Sequence, residues 1–111
     1  MDTEAKLEKA IVEAVKTTNS QIPLLPAEER EDKEKEVVIL INQLTTLLQG
    51  ESSATTEEQQ AALDAVKGLT QQAKEAEGDI VKIIEALNRL SDAIEKVEKV
   101  ASKVAPIVAL V

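Results

Sequence analysis

Two pairs of carboxylates stand at helix-neighbour spacing and are the first candidates for chemistry. Glu28 and Asp32 are four residues apart, and Glu95 and Glu98 are three apart, so each pair would share one face of a helix. Paired carboxylates act as general acid and base when burial or a charged neighbour shifts their pKa values apart. Both pairs fall outside the apolar positions of their segments. We therefore expect them to be solvated and to have no catalytic role.

The composition excludes most other kinds of catalytic, metal-binding and phosphate-binding site. The chain has no Cys and no His, which excludes thiolate nucleophiles, His-containing triads, Cys- or His-ligated zinc and carboxylate–His di-iron sites. Neither of the phosphate-binding patterns GxGxxG and GxxxxGK[ST] occurs. Ser91 and Ser102 adjoin an apolar stripe, but neither has a plausible base beside it. We expect no enzyme activity, no cofactor and no metal.

A run of charged residues from Glu28 to Glu36 could hold a metal or a partner. It lacks the turn geometry of calcium ligands, and acidic residues in the first turns of a helix complement the positive end of the helix dipole. We interpret the run as the solvated beginning of a helix.

Net charge and apolar content restrict the partners and the location. A formal net charge of -8 and the absence of aromatic residues argue against nucleic acid, because phosphates need Lys or Arg and single strands stack on aromatic rings. The first residues, MDTEAKLEK, do not resemble a secretory signal. The longest apolar runs are VVILI and the tail, and both are shorter than the ~20 residues of a membrane-spanning helix. We expect a cytoplasmic protein.

Apolar residues recur at helical spacing along most of the chain, which predicts an all-α fold. Pro23 and Pro26 separate the first helix from the second. Thr55 and Glu58 have the spacing of a capping box, and Gly50 is placed to end the second helix in a left-handed cap. We predict a single domain over residues 1–111, an up-down four-helix bundle with helices at about 3–20, 27–49, 57–77 and 79–104 and a short apolar tail at 105–111.

The second half of the chain carries an unbroken heptad seam, which passes through Gly78. If Gly78 and Asp79 form a turn, as C-cap and N-cap, the four-helix bundle results. If the helix continues instead, residues 57–104 form one helix of about 70 Å, and the fold has three helices. Matched segment lengths favour the bundle. The seam residues are Ala62, Val66, Leu69, Ala73, Ala76, Ile80, Ile83, Leu87, Leu90, Ile94, Val97, Ala101, Val104 and Val108.

Surplus apolar surface predicts association. VVILI covers more than one face of the second helix, and the last helix carries apolar residues outside the seam. We predict a protein–protein interaction or scaffolding module, with a protein partner or a second copy bound through the seam; the alternative is membrane contact through the tail. We expect the tail to cap the bundle near Leu24 and Leu25. The candidate interface residues are Val38, Ile39, Ile84, Val100, Ile107, Val108, Leu110 and Val111.

Overall fold

The structure is a computed structural model that describes residues 2–106. Over these residues the chain forms four helices, the last of them in two segments, and one two-stranded sheet. The predicted all-α, four-helix fold is therefore confirmed. The helices are α1 (Thr3–Gln21), α2 (Ala27–Leu47), α3 (Thr56–Glu75), α4 (Ile80–Leu87) and α5 (Leu90–Ala101), the strands are β1 (Gly50–Ser52) and β2 (Val104–Pro106), and a 3-10 turn spans Ile22–Leu24.

Three helices begin at side chains that cap their first N–H groups. The Asp2 carboxylate accepts the Glu4 N–H at 3.0 Å, and the Asp79 carboxylate accepts the Lys82 N–H at 3.2 Å. At the start of α3 both halves of the capping box form, between Thr55 and Glu58. The first N–H groups of a helix have no partner within it, so these contacts fix where α1, α3 and α4 begin.

The turn between α3 and α4 rules out the single long helix. Glu77 and Gly78 have positive φ angles of 47° and 84°, and the Asp79 N–H donates to the Ala76 carbonyl oxygen at 2.9 Å. Two left-handed residues in succession end a right-handed helix and reverse the chain. The longest dimension is accordingly 49 Å, well short of the roughly 70 Å of the alternative.

The helices alternate in direction, but sequence neighbours are not always neighbours in space. The main contacts join α1 to α2 and α3, and α5 to α2 and α3, so that α2 and α3 occupy opposite corners. A hydrogen bond of 2.8 Å from Gln21 Nε2 to the Ala73 carbonyl joins the ends of the parallel helices α1 and α3. The connection at 48–55 therefore crosses one end of the bundle diagonally.

The heptad seam forms the core within this one chain. From Ala62 to Ala101 its residues are buried, apart from Ile80, which is exposed, and Ile94, which is partly buried. Leucine and isoleucine side chains of α1 and α2 complete the core, with no aromatic residue available to fill space. The apolar surface that the sequence offers for pairing two chains is thus already covered by the chain itself. The seam's partners from α1 and α2 include Leu7, Ile11, Ala14, Val37, Leu40 and Leu47.

The fourth helix differs from the prediction at two points. It is interrupted at Asn88 and Arg89, where the Arg89 N–H donates to the Ala86 carbonyl three residues earlier, at 3.0 Å. The backbone stays in the right-handed region there, so the interruption is a local tightening of the helix and not a reversal. The helix then ends at Ala101 rather than at 104.

The chain after Ala101 forms β2, which pairs antiparallel with β1. Gly50 faces Pro106, Glu51 faces Ala105, and Ser52 faces Val104. The prediction that Gly50 ends α2 in a left-handed cap is wrong, because positive φ angles occur within residues 2–106 only at Glu77 and Gly78. A Cβ atom at position 50 would overlap the Ala105 carbonyl oxygen, so glycine is needed for the close approach of the strands.

The predicted packing of Ile107, Val108 and Leu110 near Leu24 and Leu25 lies outside the described residues, and β2, which precedes them, lies at the opposite end of the bundle. Leu25, which is buried, precedes the start of α2, whereas β2 lies beyond the end of that helix of 21 residues. The two places are about 30 Å apart along α2, at 1.5 Å per residue. Residues 107–111, including Ile107, Val108, Leu110 and Val111, lie outside the described residues.

The charged run of α2 is mostly, but not wholly, solvated. Glu28 and Asp32 are exposed, as expected. Lys33, however, is only 8% exposed and its ammonium group lies 3.3 Å from the Glu36 carboxylate. Arg30 Nε donates to the Leu25 carbonyl oxygen at 2.8 Å and so stabilises the chain just before the helix. Lys35 pairs with Glu31 at 3.2 Å on the exposed side of the helix, so each of the three basic residues in the run has a partner within residues 25–36.

Candidate interaction surface

Three aliphatic side chains of α2 are exposed: Val38, Ile39 and Ile41, at 55%, 45% and 38%. Val38 and Ile39 are neighbours and line one shallow depression on the outer surface, whereas Ile41 lies about 160° round the helix from Ile39. Successive residues of a helix are 100° apart, so the five apolar residues of VVILI point almost all round it. Val37 and Leu40 take the core positions, which leaves the other three toward solvent. We call Val38 and Ile39 the outer face of α2.

The structure separates the other predicted interface residues from this face. Ile84 is partly buried and packs against the core. Val100 is fully buried, which removes it from the candidate set, because a side chain without accessible surface has none to offer a partner. Ile107, Val108, Leu110 and Val111 lie outside residues 2–106. Val38 and Ile39 are the predicted residues that the structure places at an exposed surface.

Other exposed apolar side chains lie elsewhere. Leu24 follows α1, and Ile80 and Val81 open α4, so all three belong to the end of the bundle where α2 begins. Val38 lies eleven residues into α2, which is about 16 Å along the helix from that end. Leu48 stands at the opposite end, directly after α2. The outer face of α2 differs from these places because its two exposed aliphatic residues lie midway along a helix, away from both ends of the bundle.

A groove between α2 and α5 adjoins this face, and Ile39 belongs to both. Its floor contains Gln43, whose Nε2 donates to the Ile94 carbonyl oxygen and to Glu98 Oε1, each at 3.0 Å. These bonds join the two parallel helices. Sequence reasoning missed Gln43, although a polar residue three after Leu40 and four before Leu47 is a recognisable signal of a polar group at a core position.

Two ion pairs join other elements. Lys74 of α3 lies 2.7 Å from Glu13 of α1, and the hydrogen bond with this ammonium lowers the pKa of Glu13. Lys103 lies 2.7 Å from Glu58, and this bond, together with the Thr55 N–H, lowers the pKa of Glu58.

Burial has the opposite effect on one carboxyl group. It raises the pKa of Glu8, and the charges of Glu4 and Asp2 raise it further. All three of the shifted carboxyls lie away from the outer face of α2.

The candidate catalytic groups of the sequence do not come together. Ser91 and Ser102 are exposed, and Ser91 Oγ has the Asn88 carbonyl oxygen 3.4 Å away as its acceptor. Glu95 and Glu98 are also exposed. Among residues 2–106, no three Asp or Glu side chains are grouped to hold a metal ion. No helix in this range is both long and apolar enough to cross a lipid bilayer.

Comparison of the chain with protein-family models, curated proteins and solved structures finds no match. The functional argument therefore rests on the surface itself.

Proposed function

We propose that this chain is a non-enzymatic helical module that binds a partner protein through the outer face of α2. The observation that carries the proposal is the exposure of Val38 and Ile39 as neighbours on a helix whose core side is already filled. Single exposed aliphatic residues are normal on a protein surface, but adjacent ones on a well-ordered helix offer a docking stripe for another helix.

The energy available from this face is sufficient to measure. Full burial of a Val or Ile side chain stabilises by about 1.5–3 kcal/mol, so covering a half-exposed one contributes about 1 kcal/mol. The two side chains together would contribute about 2 kcal/mol, which corresponds to roughly 30-fold in affinity. Placing a carboxylate at the centre of the face should remove most of this contribution, because the charge would have to be desolvated.

Two other modes of association, pairing through the heptad seam and membrane contact through the tail, have less support. Pairing of two chains through the heptad seam would require seam residues that are buried in the core of one chain. Membrane contact through the tail concerns residues 107–111, which lie outside the described residues. A second copy of the chain remains an eligible partner, but through the outer face of α2. The cytoplasmic location stays a prediction, which fractionation of the native cells would test.

The test uses the full chain and a display library of 20-residue amphipathic helical peptides. Selected peptides should lose roughly 30-fold in affinity for the Ile39→Glu variant, and a similar factor for Val38→Glu. Val81→Glu is the matched control, because Val81 is as exposed as these residues but opens α4. Circular dichroism at 222 nm checks that each variant keeps its helical fold.

Sedimentation velocity of the same samples tests for a second copy as the partner. A dimer of the wild-type chain that dissociates in Ile39→Glu, and persists in Val81→Glu, would support the proposal in its self-associating form. The proposal is wrong if the wild-type chain is a monomer and no helical peptide depends on Val38 or Ile39 for its binding.

A further inference from the structure

The groove between α2 and α5 has a volume of about 320 Å³ and opens beside the outer face of α2. The α2 wall carries Ile39 together with the polar side chains of Asn42 and Thr46, and the α5 wall carries Ala101 together with the Glu98 carboxylate and the Ser102 hydroxyl. A partner helix lying on the outer face of α2 would therefore pass along the opening of this groove. Its nearest side chains would meet an aliphatic surface and a negative charge together.

Gln43 fixes that charge in place. The Gln43 side chain is 95% buried, being 5% exposed, and its Nε2 holds the carboxylate of Glu98 at 3.0 Å. The second bond of Nε2, to the Ile94 carbonyl, determines the orientation of the amide. Gln43 Oε1 is left buried with no hydrogen-bond partner among the described residues. A carboxylate already held in one position loses little entropy when a ligand binds to it.

Glu98 also lacks the cation that comparable carboxylates have. Glu13 is paired with Lys74 across α1 and α3, and Glu58 is paired with Lys103 next to β2. Within residues 2–106, no Lys or Arg nitrogen lies within 4.0 Å of the Glu98 carboxylate. The groove thus has a carboxylate that is held in place and has no cation, beside the aliphatic side chain of Ile39.

We propose, on the basis of the function proposed above, that the partner segment carries an Arg or Lys side chain that enters this groove and pairs with Glu98. The aliphatic stem of such a side chain lies against Ile39 while its charged head reaches the carboxylate. Arg fits best, because its planar group has five N–H donors and can bind both oxygens of the Glu98 carboxylate at once. The net charge of -8 also attracts basic partners over acidic ones.

The test takes one peptide selected on the outer face of α2 and makes four versions of it, with Arg, Lys, Gln or Glu at the position nearest the groove. Fluorescence anisotropy of labelled peptides measures their affinities for the wild-type chain, Glu98→Gln and Glu95→Gln. The Arg peptide should bind the wild-type chain about tenfold more tightly than the Gln peptide, since charged hydrogen bonds contribute about 1.5–3 kcal/mol. The preference should vanish with Glu98→Gln, persist with Glu95→Gln and weaken as salt is raised.

A second measurement reports on Gln43 directly. In ¹H–¹⁵N spectra, the side-chain amide signals of Gln43 should shift on addition of the Arg peptide and much less on addition of the Gln peptide. Equal affinities of the Arg and Gln peptides, or an Arg preference that survives Glu98→Gln, would overturn the inference. In that case peptide binding that still depends on Ile39 leaves the proposed function standing. If no version binds, the proposed function fails and this inference with it.

Discussion

At one end of the bundle, the turn end, the chain reverses through Ile22–Leu24 and through Glu77–Gly78. At the other, the clasp end, β1 pairs with β2. The hydrogen bonds that shape the turn end are mostly local, such as that from the Leu25 N–H to the Ile22 carbonyl at 3.0 Å. The clasp end is joined by bonds between residues far apart in the sequence. The Ser52 N–H donates to Glu4 Oε1, and the Ser52 hydroxyl donates to the Val100 carbonyl, each at 2.7 Å.

The two ends therefore have different roles in the fold. The turn end determines where helices stop and reverse, and it leaves Leu24, Ile80 and Val81 exposed. The clasp end holds the diagonal pair of helices together, because Ser52 links the start of α1 to the end of α5, which have no main contact along their lengths. Substitutions at the clasp end should therefore have larger effects on stability than substitutions of the same kind at the turn end.

The largest effect is expected for Gly50→Ala. The added Cβ would overlap the Ala105 carbonyl oxygen, and a backbone atom cannot move aside without separating the strands. Losing the bonds between the strands should lower the free energy of unfolding by about 2–3 kcal/mol, at about 1 kcal/mol per bond. Urea denaturation measures this loss of free energy. Unfolding is followed by circular dichroism at 222 nm, because the chain has no aromatic residue whose fluorescence could be used.

Gly68→Ala is the matched control for that substitution. Gly68 lies inside α3, and the nearest atom to an added Cβ is a guanidinium nitrogen of Arg89 at 3.8 Å, an ordinary contact. Alanine is favoured over glycine within a helix by up to about 1 kcal/mol, so this variant should be more stable than wild type. Equal destabilisation by both variants would show that the Gly50 effect does not come from the strands.

A smaller loss is expected for Gly78→Ala at the turn end. Nothing lies within 4 Å of an added Cβ, so the cost is confined to the φ angle of +84°. Holding a residue with a Cβ in the left-handed region costs about 1 kcal/mol, and Asn should be tolerated better than Ala. The same urea titrations test both variants. A loss as large as that of Gly50→Ala would contradict the distinction between the two ends.

The smallest effect is a selective weakening of the clasp end in acid. The hydrogen bond with Lys103 lowers the pKa of Glu58 in the folded state below its ordinary value of 4.5. The pair therefore stabilises the fold above that value, and its contribution is lost as the pH falls through the folded pKa. Amide protection factors at Gly50–Ser52 should fall between pH 6 and pH 3 by a larger factor than those at Ile80–Ile83.

Glu58→Gln should remove most of this acid sensitivity at the clasp end, whereas Glu13→Gln should leave it unchanged, because Glu13 pairs with Lys74 between α1 and α3. The contribution of Glu8 to stability changes with pH in the opposite direction to that of Glu58. The pKa of Glu8 is raised, so its contribution is present at low pH and is lost as the pH rises through the raised value. An equal response of the two ends to acid would remove the contrast between them.

The same contrast explains how much of the fold the sequence predicts. Asp2, Thr55 and Asp79 are local capping signals, and the helices after them begin within a residue of the predicted positions. Gly78 is a local signal as well, because glycine is the residue type that adopts the positive φ angle of this turn most readily. Local signals of this kind can be recognised within a window of four or five residues.

The sheet and the helix interruption could not be predicted in this way. β1 and β2 are three residues each, too short for an alternating pattern, and their pairing depends on the packing of helices between them in the sequence. The tightening at Asn88 and Arg89 involves neither glycine nor proline. Val38 and Ile39 could be recognised as surplus apolar residues, but Gln43 and Glu98 become a pair only when α2 and α5 lie side by side.

The position of Ser52 has a further consequence for the connectivity of the chain. Its N–H binds the Glu4 side chain, and its backbone pairs with Val104, so the first and last described elements meet at one strand. The backbone is thus nearly a closed ring. A short linker between these two elements could join them, and the ring could be opened at the exposed turn of Glu77 and Gly78. Such a circular permutant would keep every helix contact while its order of synthesis begins with α4.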